Sequence, residues 1–492
     1  MDKRTDQEGI CAKSQQTRHY LEDLLARNYV RKFLSWLTAG DGNSQSRFEC
    51  ISENYNNPEL RGWQRVKWFL PQLAIDIALK KAKLDKQVMT EKLFHHEPTV
   101  RALTLTARSI AHYGLSSPQR YVAPLMVVWN FTQACNLRCK HCYQSALAKP
   151  LANELTLEEK LRVVDEMGAA GVPCLAIAGG EPLLSPHLWP VLERARKRRI
   201  HLSLATNGTM LTPETVQRLI DSGVKYIEIS IDSLDPATHD RFRGQPGAWA
   251  KSIQGIKNCV AAGMRTGLAT CFTRDTVETA EDVIEFAISL GCRTFSHFNF
   301  IPVGRGKDMA DSDLTPTQRE RLLKKLVAYM QERRITVIST APQLARACLQ
   351  YAPPDGIFAT GHAGVGQGGK AQVLTRYVGG CGAGRCYCAI EPNGDVTPCV
   401  YMPSLVVGNL RKAQFGEIWN NSLFEKLSDR NHSSGHCPTC DYRAYCGGCR
   451  ARAYSYTGDV LAADPGCGYN AEIWEAVASQ SSLVNLASAG EG

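Results

Sequence analysis

Apolar runs rich in β-branched residues alternate with helical segments between residues 122 and 306. The runs begin at residues 122, 173, 201, 225, 267 and 293, and they end on glycine or polar residues. Buried parallel strands are continuous apolar runs, and a helix usually makes the crossover between them. The alternation predicts an α/β fold, a partial (β/α)6 barrel open on one side, whose polar strand ends share one rim.

The chain before this barrel, residues 1–115, is predicted to be a separate helical region. Apolar residues recur at helical spacing in 21–37 and 61–84, and turn-forming residues fill the linker 38–60. A basic run follows the apolar part of the second segment, at Lys80, Lys81, Lys83 and Lys86. Such a helix either lies on a membrane surface or packs with a solvated basic end, and we favour the packed helix.

No transmembrane anchor is predicted. The most apolar early segment, 68–79, is shorter than a spanning helix and contains Pro71 and Asp76. After the barrel, residues 307–375 are expected to form a connector, with a helix in 314–333 and a flexible Gly-rich stretch. A cysteine-rich domain over 376–470 and a C-terminal helix and tail over 471–492 complete the organisation.

Composition limits the class of protein. With 492 residues, of which 44% are hydrophobic, the chain is long enough for about three globular domains. A formal net charge of +9 is small for this length, so no nucleic-acid partner is expected. Nineteen cysteines and a polar N-terminus without signal-peptide character favour a reducing cytoplasm, where clustered cysteines are metal ligands more often than disulfides.

Three cysteines follow the first predicted strand in the spacing CxxxCxxC, at Cys135, Cys139 and Cys142. A structural zinc site needs a fourth ligand, which His141 could provide. A four-iron cluster held by three cysteines instead leaves one iron open for an exogenous ligand. The second interpretation is favoured because it also accounts for motifs farther along the chain.

The segment CNLRCKHCY resembles the signature of the radical S-adenosylmethionine (SAM) superfamily, and the resemblance extends over residues 122–470. It implies that the amino and carboxylate groups of SAM chelate the open iron. An electron from the cluster then cleaves SAM to a 5'-deoxyadenosyl radical, which abstracts hydrogen from a substrate.

The same resemblance implies that residues at several strand ends bind SAM. Gly179-Gly180-Glu181 resembles the motif that binds the methionine part, with Glu181 accepting a hydrogen bond from its ammonium group. Ribose and adenine contacts are expected from Ser230, Asp232, Tyr143 and Val303. Arg241 and Arg243 could bind a carboxylate, although a structural ion pair is favoured.

Nine cysteines lie in the C-terminal part, enough for two clusters with four thiolates each. CYCAIEPNGDVTPC is predicted to be a hairpin with Asn393-Gly394 as its turn, which brings Cys388 and Cys399 to the same end. The pattern resembles the SPASM extension of radical SAM enzymes. That resemblance implies two auxiliary four-iron clusters, one on Cys381, Cys388, Cys399 and Cys449, the other on Cys437, Cys440, Cys446 and Cys467.

Two features depart from the SPASM pattern. Two residues rather than three separate Cys446 from Cys449, and Cys386 competes with Cys388. A pair of structural zinc sites is the alternative. Sulfatase-maturing relatives carry a catalytic aspartate directly after the last cysteine of the hairpin, where this chain has Val400. Serine or cysteine oxidation is therefore not expected, and Asp395 is expected to face solvent in the turn.

The sequence thus predicts a radical SAM enzyme that modifies a bulky substrate, either a ribosomal peptide or a tetrapyrrole or other cofactor precursor. Its catalytic residues beyond the cofactor ligands are not identifiable at this level. An electron donor such as ferredoxin or flavodoxin is the expected partner. The alternatives are a multi-cluster electron-transfer protein without SAM chemistry and a zinc-bound interaction module.

Overall fold

The computed structural model describes residues 22–40, 45–55, 57, 59–81, 86, 94, 96–359 and 364–477. Outside this part of the chain lie residue 21 of the first predicted helix and residues 82–84 of the second, which include Lys83 of the basic run. Residues 360–363 of the Gly-rich stretch and the predicted tail over 478–492 also lie outside it.

The elements follow one another as the sequence predicts, with additions. The helices before the barrel are α1 (Asn28–Thr38), α2 (Arg47–Asn54), α3 (Trp63–Lys81) and α4 (Glu97–Tyr113). The next part comprises β1 (Met126–Asn130), α5 (Leu157–Ala170), β2 (Cys174–Ala178), α6 (Leu188–Lys197), β3 (His201–Thr206), α7 (Pro213–Asp221), β4 (Val224–Ser230), α8 (Pro236–Arg243), α9 (Ala248–Ala261), β5 (Arg265–Cys271), α10 (Ala280–Ser289) and β6 (Thr294–Phe298).

The remainder is less regular, with shorter strands and helices. It comprises α11 (Pro316–Glu332), β7 (Thr336–Ser339), α12 (Gln343–Tyr351), β8 (Ile357–Ala359), β9 (Val365–Gln367), α13 (Gly368–Val378), β10 (Tyr387–Ile390), β11 (Asp395–Thr397), β12 (Gly408–Asn409), α14 (Phe415–Trp419), α15 (Ser422–Ser428) and α16 (Arg450–Thr457).

The main sheet has ten strands in the order β12-β11-β10-β1-β2-β3-β4-β5-β6-β7. Strands β1 to β7 pair in parallel, and the α/β fold with a parallel sheet is confirmed. The sheet is larger than the predicted six units, because β7 comes from the supposed connector and β10 pairs in parallel with β1. The order of the described strands is linear, so this sheet is open at both ends.

Side chains alternate between the two faces of the sheet, as the pleat of a strand requires. In β1, Val127 and Trp129 are fully buried against the helices, whereas Met126 and Val128 face a cavity on the inner side. Helix α5 begins at the predicted Thr156 cap, whose hydroxyl accepts the Glu159 backbone N–H while the Glu159 carboxylate accepts that of Thr156. The cap fixes where α5 starts, directly after the cysteine loop.

The connector and the N-terminal region differ in detail from expectation. The Gly-rich stretch is not wholly a flexible loop, since β8 and β9 pair as a two-stranded antiparallel sheet and α13 follows directly. The first predicted helix is interrupted at Arg27, whose backbone is extended at φ −69° and ψ 131°. The second predicted helix is α3, with Pro71 inside it. None of the described helices is long and apolar enough to cross a membrane.

A buried charge network joins the C-terminal part to the barrel. The Arg452 side chain, fully buried on α16, donates to the Asn299 side chain at 2.5 Å and lies 3.3 Å from Asp313 and 3.6 Å from Asp464. Asp464 in turn accepts the Cys449 backbone N–H at 2.7 Å. Removing one partner from a buried ion pair costs about 3–5 kcal/mol, so this network fixes α16, and with it Cys449, against the loop after β6.

Candidate active site

A cavity of about 350 Å³ lies on the inner face of the sheet and reaches the carboxyl ends of its strands. Its wall is built from small side chains at inward-facing positions, namely Ala176, Ala178, Ser203, Ala205, Ala269 and Ser296. The opposite positions of the same strands carry large apolar residues that pack under the helices. The cavity therefore exists because the sequence places small residues at every second position of these strands.

The CxxxCxxC cysteines line this cavity at the strand ends. Each sulfur faces a donor: Leu137 N–H lies 3.4 Å from Cys135 Sγ, Ala146 N–H lies 3.5 Å from Cys142 Sγ, and Arg243 Nη1 lies 3.8 Å from Cys139 Sγ. Burial raises the pKa of the Cys135 thiol to about 12, so without a metal it stays protonated. Sulfurs set as hydrogen-bond acceptors beside a buried cation fit thiolates bound to an iron-sulfur cluster.

Gly179 and Gly180 pack against the backbone of the cysteine loop. Gly179 has φ +120°, which disfavours any side chain, and a β-carbon at Gly180 would overlap the carbonyl oxygen of Ala134. The N–H groups of Gly180 and Glu181 donate to the Thr132 and Ala134 carbonyls at 2.8 and 2.7 Å. The two glycines, which line the cavity as expected, thereby fix the cysteine loop on the end of β2.

Glu181 lies behind the cavity wall, which differs from its expected contact with the methionine ammonium. It is fully buried, and its carboxylate accepts the Thr206 hydroxyl at 2.8 Å and the Asn207 backbone N–H at 2.9 Å. Burial raises its pKa to about 7. The Asn207 side-chain amide donates to Asn136 at 2.8 Å, so Glu181 acts through Asn207 on the residue that follows Cys135.

The remaining residues expected to bind SAM divide into two groups. Ser230, Asp232 and Tyr143 line the cavity, whereas the Val303 side chain packs into the core. Asp232 forms a 2.6 Å ion pair with Arg243, which confirms the structural ion pair. Burial would raise the pKa of Asp232, but the Arg243 guanidinium, together with His141, His239 and the Cys271 N–H, outweighs it and holds that pKa below its ordinary value.

His141 and Arg241 take no part among the thiols. The His141 ring stacks on Phe242 with centroids 4.5 Å apart, and its Nε2 lies 3.7 Å from Asp232. Arg241 is exposed and donates to the Thr238 hydroxyl at 3.0 Å. The alternative fourth zinc ligand, His141, is thus directed towards the Asp232 ion pair.

The roles of Arg305 and Glu228 in the site were not predicted from the sequence. Arg305 donates to the Cys139 and Ala146 carbonyls at 2.9 and 2.7 Å and so holds the cysteine loop from its far side. Glu228 lies on β4 two residues before Ser230 and accepts the Tyr226 hydroxyl at 3.1 Å. Burial raises the pKa of Glu228. The signal for Glu228 was available, because a carboxylate in an apolar strand faces the side opposite its large neighbours.

Three of the C-terminal cysteines, Cys381, Cys399 and Cys449, line the same cavity from the other side. Burial raises the pKa of the Cys399 thiol, and its neighbours Cys381 and Cys449 add to the effect. The three thiols, with the CxxxCxxC group, therefore enclose one space. Tyr143 and Tyr401 lie between the two groups, with ring centroids 5.1 Å apart.

Cys388 does not join this group, which corrects the expected ligand set. It is fully buried on β10 opposite Val127, on the helix side of the sheet, whereas its neighbour Tyr387 faces the cavity. Successive residues of a strand point to opposite faces, so Cys388 and Cys399 share an end of the hairpin but not a face. Cys386 packs instead against Leu105 and Tyr121. Three cysteines rather than four meet at this position.

The second predicted cysteine group, Cys437, Cys440, Cys446 and Cys467, lies outside the lining of this cavity. Burial, together with Cys467, raises the pKa of the Cys446 thiol, and Cys437 lies close enough to Cys467 to act on its pKa in the same direction. A short 3₁₀ turn over Cys437–Thr439 leads directly into Cys440. Gly448 N–H donates to Cys446 Sγ at 3.4 Å, as in the first cysteine loop.

Val400 lines the cavity where the sulfatase-maturing pattern has an aspartate. Asp395 is half-buried rather than exposed, and it accepts the side-chain amides of Asn393 and Asn409 at 2.7 and 2.8 Å. Among the described residues, Glu228 and Asp232 are the two carboxylates that line the cavity, and Asp232 is neutralised by Arg243. Glu228 is therefore the cavity carboxyl without an arginine partner.

Comparison with known protein families identifies the class to which this protein belongs. Residues 129–287 match the model of the radical SAM superfamily, and residues 381–442 match SPASM, an iron-sulfur cluster-binding domain. The chain belongs to the radical SAM superfamily and is an enzyme of that class, with a four-iron cluster and SAM implied by the first domain and further iron-sulfur binding by the second.

The chain is also similar to particular members of known families. Over 349 residues, 70% of this chain and 97% of the relative, it is 36% identical to the AdoMet-dependent heme synthase of Methanosarcina barkeri. Over 353 residues, 70% of this chain and 83% of the relative, it is 31% identical to the mycofactocin maturase MftC of Mycobacterium tuberculosis. The crystal structure of Streptococcus suis SuiB bound to S-adenosylmethionine shares the fold at TM-score 0.59 and 18% identity, covering 86% of this chain and 93% of SuiB.

The position of Cys388 gives a testable prediction. Cys388→Ala should leave the iron and sulfide content of anaerobically reconstituted protein unchanged, because the thiol lies on the wrong face of β10 to reach a cluster. Cys399→Ala, the matched variant on the same hairpin, should lose one cluster. Iron and sulfide per chain, with the paramagnetic resonance spectrum of the reduced protein, make the measurement. Equal losses in both variants would return Cys388 to the ligand set.

Proposed function

We propose that this enzyme generates a 5'-deoxyadenosyl radical beside Cys135, Cys139 and Cys142 and uses it to modify the side chain of a tetrapyrrole. The observation that carries the proposal is the single cavity lined by these cysteines at one side and by Cys381, Cys399 and Cys449 at the other. A substrate in that cavity lies between a site of hydrogen abstraction and a site that can take up an electron.

The chain's own residues suit this arrangement. Cys135, Cys139 and Cys142 would hold the cluster, and the open iron would take SAM, which supplies the radical. Ser230 and the main chain of Gly179 and Gly180, which line the cavity, would bind SAM through their polar groups, while the buried Arg243 would offset negative charge at Cys139. We infer that Glu181 and Arg305 act by positioning the cysteine loop.

The reaction that we propose is the oxidative decarboxylation of a propionate side chain. Removing a hydrogen atom from a propionate side chain and losing its carboxylate as CO₂ leaves one electron to be accepted. Cys381, Cys399 and Cys449 would hold an auxiliary iron-sulfur cluster beside the cavity, and such a cluster could take up that electron. We infer a second auxiliary cluster on Cys437, Cys440, Cys446 and Cys467.

A tetrapyrrole substrate is favoured by the 36% identity to a heme synthase over 97% of that relative. A ribosomal peptide is the second candidate, supported by the 31% identity to the mycofactocin maturase MftC. Both substrates are bulky, and both require a cavity open at its rim. In either case we expect a small electron donor such as ferredoxin or flavodoxin and a reducing, cytoplasmic setting, in line with the free thiols of the described cysteines.

Radical chemistry is tested by iron and product analysis. Reconstituted protein with reductant should form 5'-deoxyadenosine from SAM, and replacing Cys135, Cys139 and Cys142 together with Ala should abolish this and remove one cluster while the others remain. The reason is that these three thiols would hold the cluster that cleaves SAM. An electron-transfer protein would form no 5'-deoxyadenosine, and a zinc module would bind zinc in place of iron. Cleavage that survives the triple change contradicts the proposal.

Glu228 provides a second test. Burial raises its pKa, which favours the protonated form, and a protonated carboxyl can donate a hydrogen bond to a substrate carboxylate. Glu228→Ala should weaken binding of an iron porphyrin bearing propionates by about tenfold to a hundredfold, as expected for a hydrogen bond to a charged group. Glu228→Gln keeps a donor and should retain binding.

The pH dependence of porphyrin binding distinguishes the protonated from the ionised form of Glu228. Because the acid form is the donor, affinity of the unaltered enzyme should be highest below the raised pKa and should fall as pH rises through it. The Gln variant should show no such fall. Absorbance titrations of the porphyrin across this range make the measurement, and a Gln variant as weak as the Ala variant would exclude Glu228 as a donor.

A further inference from the structure

Helix α3 exposes an apolar stripe. Trp63, Val66, Leu70, Leu73 and Ile77 follow one another at alternating spacings of three and four residues, so they share one side of the helix. Trp63 is 81% exposed and Leu70 is 71% exposed, and Phe69 beside them is 61% exposed. With about 100° per residue, these six side chains span an arc of about 120°.

The exposure is not a consequence of α3 being detached from the protein. Ile75 on its other side packs into a small core with Tyr55, Phe94 and Phe48, and the Gln72 side chain donates to the Asn54 carbonyl at 2.7 Å. Helix α3 is thus held by one side and leaves an apolar side uncovered by the described residues. The packed interpretation of this helix accounts for the side that carries Ile75 but not for the exposed stripe.

Charge around the stripe has one sign. Arg65, Lys67 and Lys80 are exposed on α3, and its single acidic residue, Asp76, is paired with Lys86 at 2.8 Å. Helix α1 repeats the composition, with Tyr29, Phe33 and Trp36 each at least half exposed and an exposed Lys32. Both stripes are therefore rich in aromatic side chains and accompanied by basic ones.

We propose that α3, assisted by α1, binds the protein to the surface of an anionic membrane. A helix with Trp, Phe and Leu on one side and Lys or Arg beside them lies in the headgroup layer, with its apolar side inserted and its cations on lipid phosphates. Trp and Tyr are also the side chains enriched at this interface. Pairing with a second copy is disfavoured because it would bring like charges together.

The proposal is independent of the chemistry in the cavity. Helices α1 and α3 precede residue 129, where the match to the radical SAM model begins. Membrane attachment would thus be a property of the added N-terminal region, and its loss should leave SAM cleavage intact.

Co-sedimentation with vesicles tests the proposal on the full-length protein. Vesicles with about one third phosphatidylglycerol should retain the protein at low salt, and pure phosphatidylcholine vesicles should retain it at least tenfold less, because each basic residue near an anionic surface contributes about fivefold. Leu70→Glu with Leu73→Glu should lower binding to the anionic vesicles at least tenfold, as should Lys67→Glu with Lys80→Glu. Trp fluorescence should shift to the blue on binding.

The controls separate this outcome from others. Leu374→Glu changes an exposed leucine outside the N-terminal region, 49% accessible against 44% for Leu73, and should not alter binding. Circular dichroism and 5'-deoxyadenosine formation should match the unaltered protein in every variant. Equal retention on neutral and anionic vesicles, or no retention on either, overturns the proposal. So does a stable dimer in solution that Leu70→Glu dissociates, since the stripe would then be a contact between copies.

Discussion

The close contact between the end of β2 and the cysteine loop holds the site together. Gly180 lies so near the Ala134 carbonyl that no β-carbon fits, and hydrogen bonds from Gly180 and Glu181 to Thr132 and Ala134 secure the approach. The loop has no regular structure of its own, so its path depends on such contacts. Arg305 from beyond β6 binds the same loop at two carbonyls, and the three sulfurs are thereby directed into the cavity.

The second group of sulfurs depends on a different kind of interaction. Cys449 begins α16, and its backbone N–H donates to Asp464, which shares Arg452 with Asp313. These charges are fully buried, so each is stable only while its partners remain in place. The strand β10 adds Tyr387 to the cavity by pairing with β1. A backbone ladder and a buried ion network thus bring the two cysteine groups to one space.

Much of this was predictable from local sequence. The alternation of strands and helices, the position of the cysteine loop after β1 and the glycine pair after β2 all follow from patterns within a few residues. The face of the sheet on which a cysteine lies was harder to predict. In Cys386-Tyr387-Cys388 the two thiols are two residues apart, and only the pairing of Cys388 with Val127 shows that Cys388 points under the helices. Strand β7 is four residues long and apolar at only two positions, too short a pattern to separate from a loop.

Side-chain partners were the least predictable part. Glu181 was expected to reach SAM, but Thr206 and Asn207 from the next strand take its carboxylate, and nothing near Glu181 in the sequence indicates them. The alternation along β4 shows which face of the sheet Glu228 occupies, but that this face lines a cavity depends on small residues from other strands. The central claim, that a radical formed at one cysteine group acts on a substrate in the shared cavity, is tested most directly by deuterium transfer. With an iron porphyrin deuterated in its propionate side chains, the account predicts 5'-deoxyadenosine that carries one deuterium atom and a porphyrin that has lost CO₂. Unlabelled 5'-deoxyadenosine with an unchanged porphyrin would contradict it.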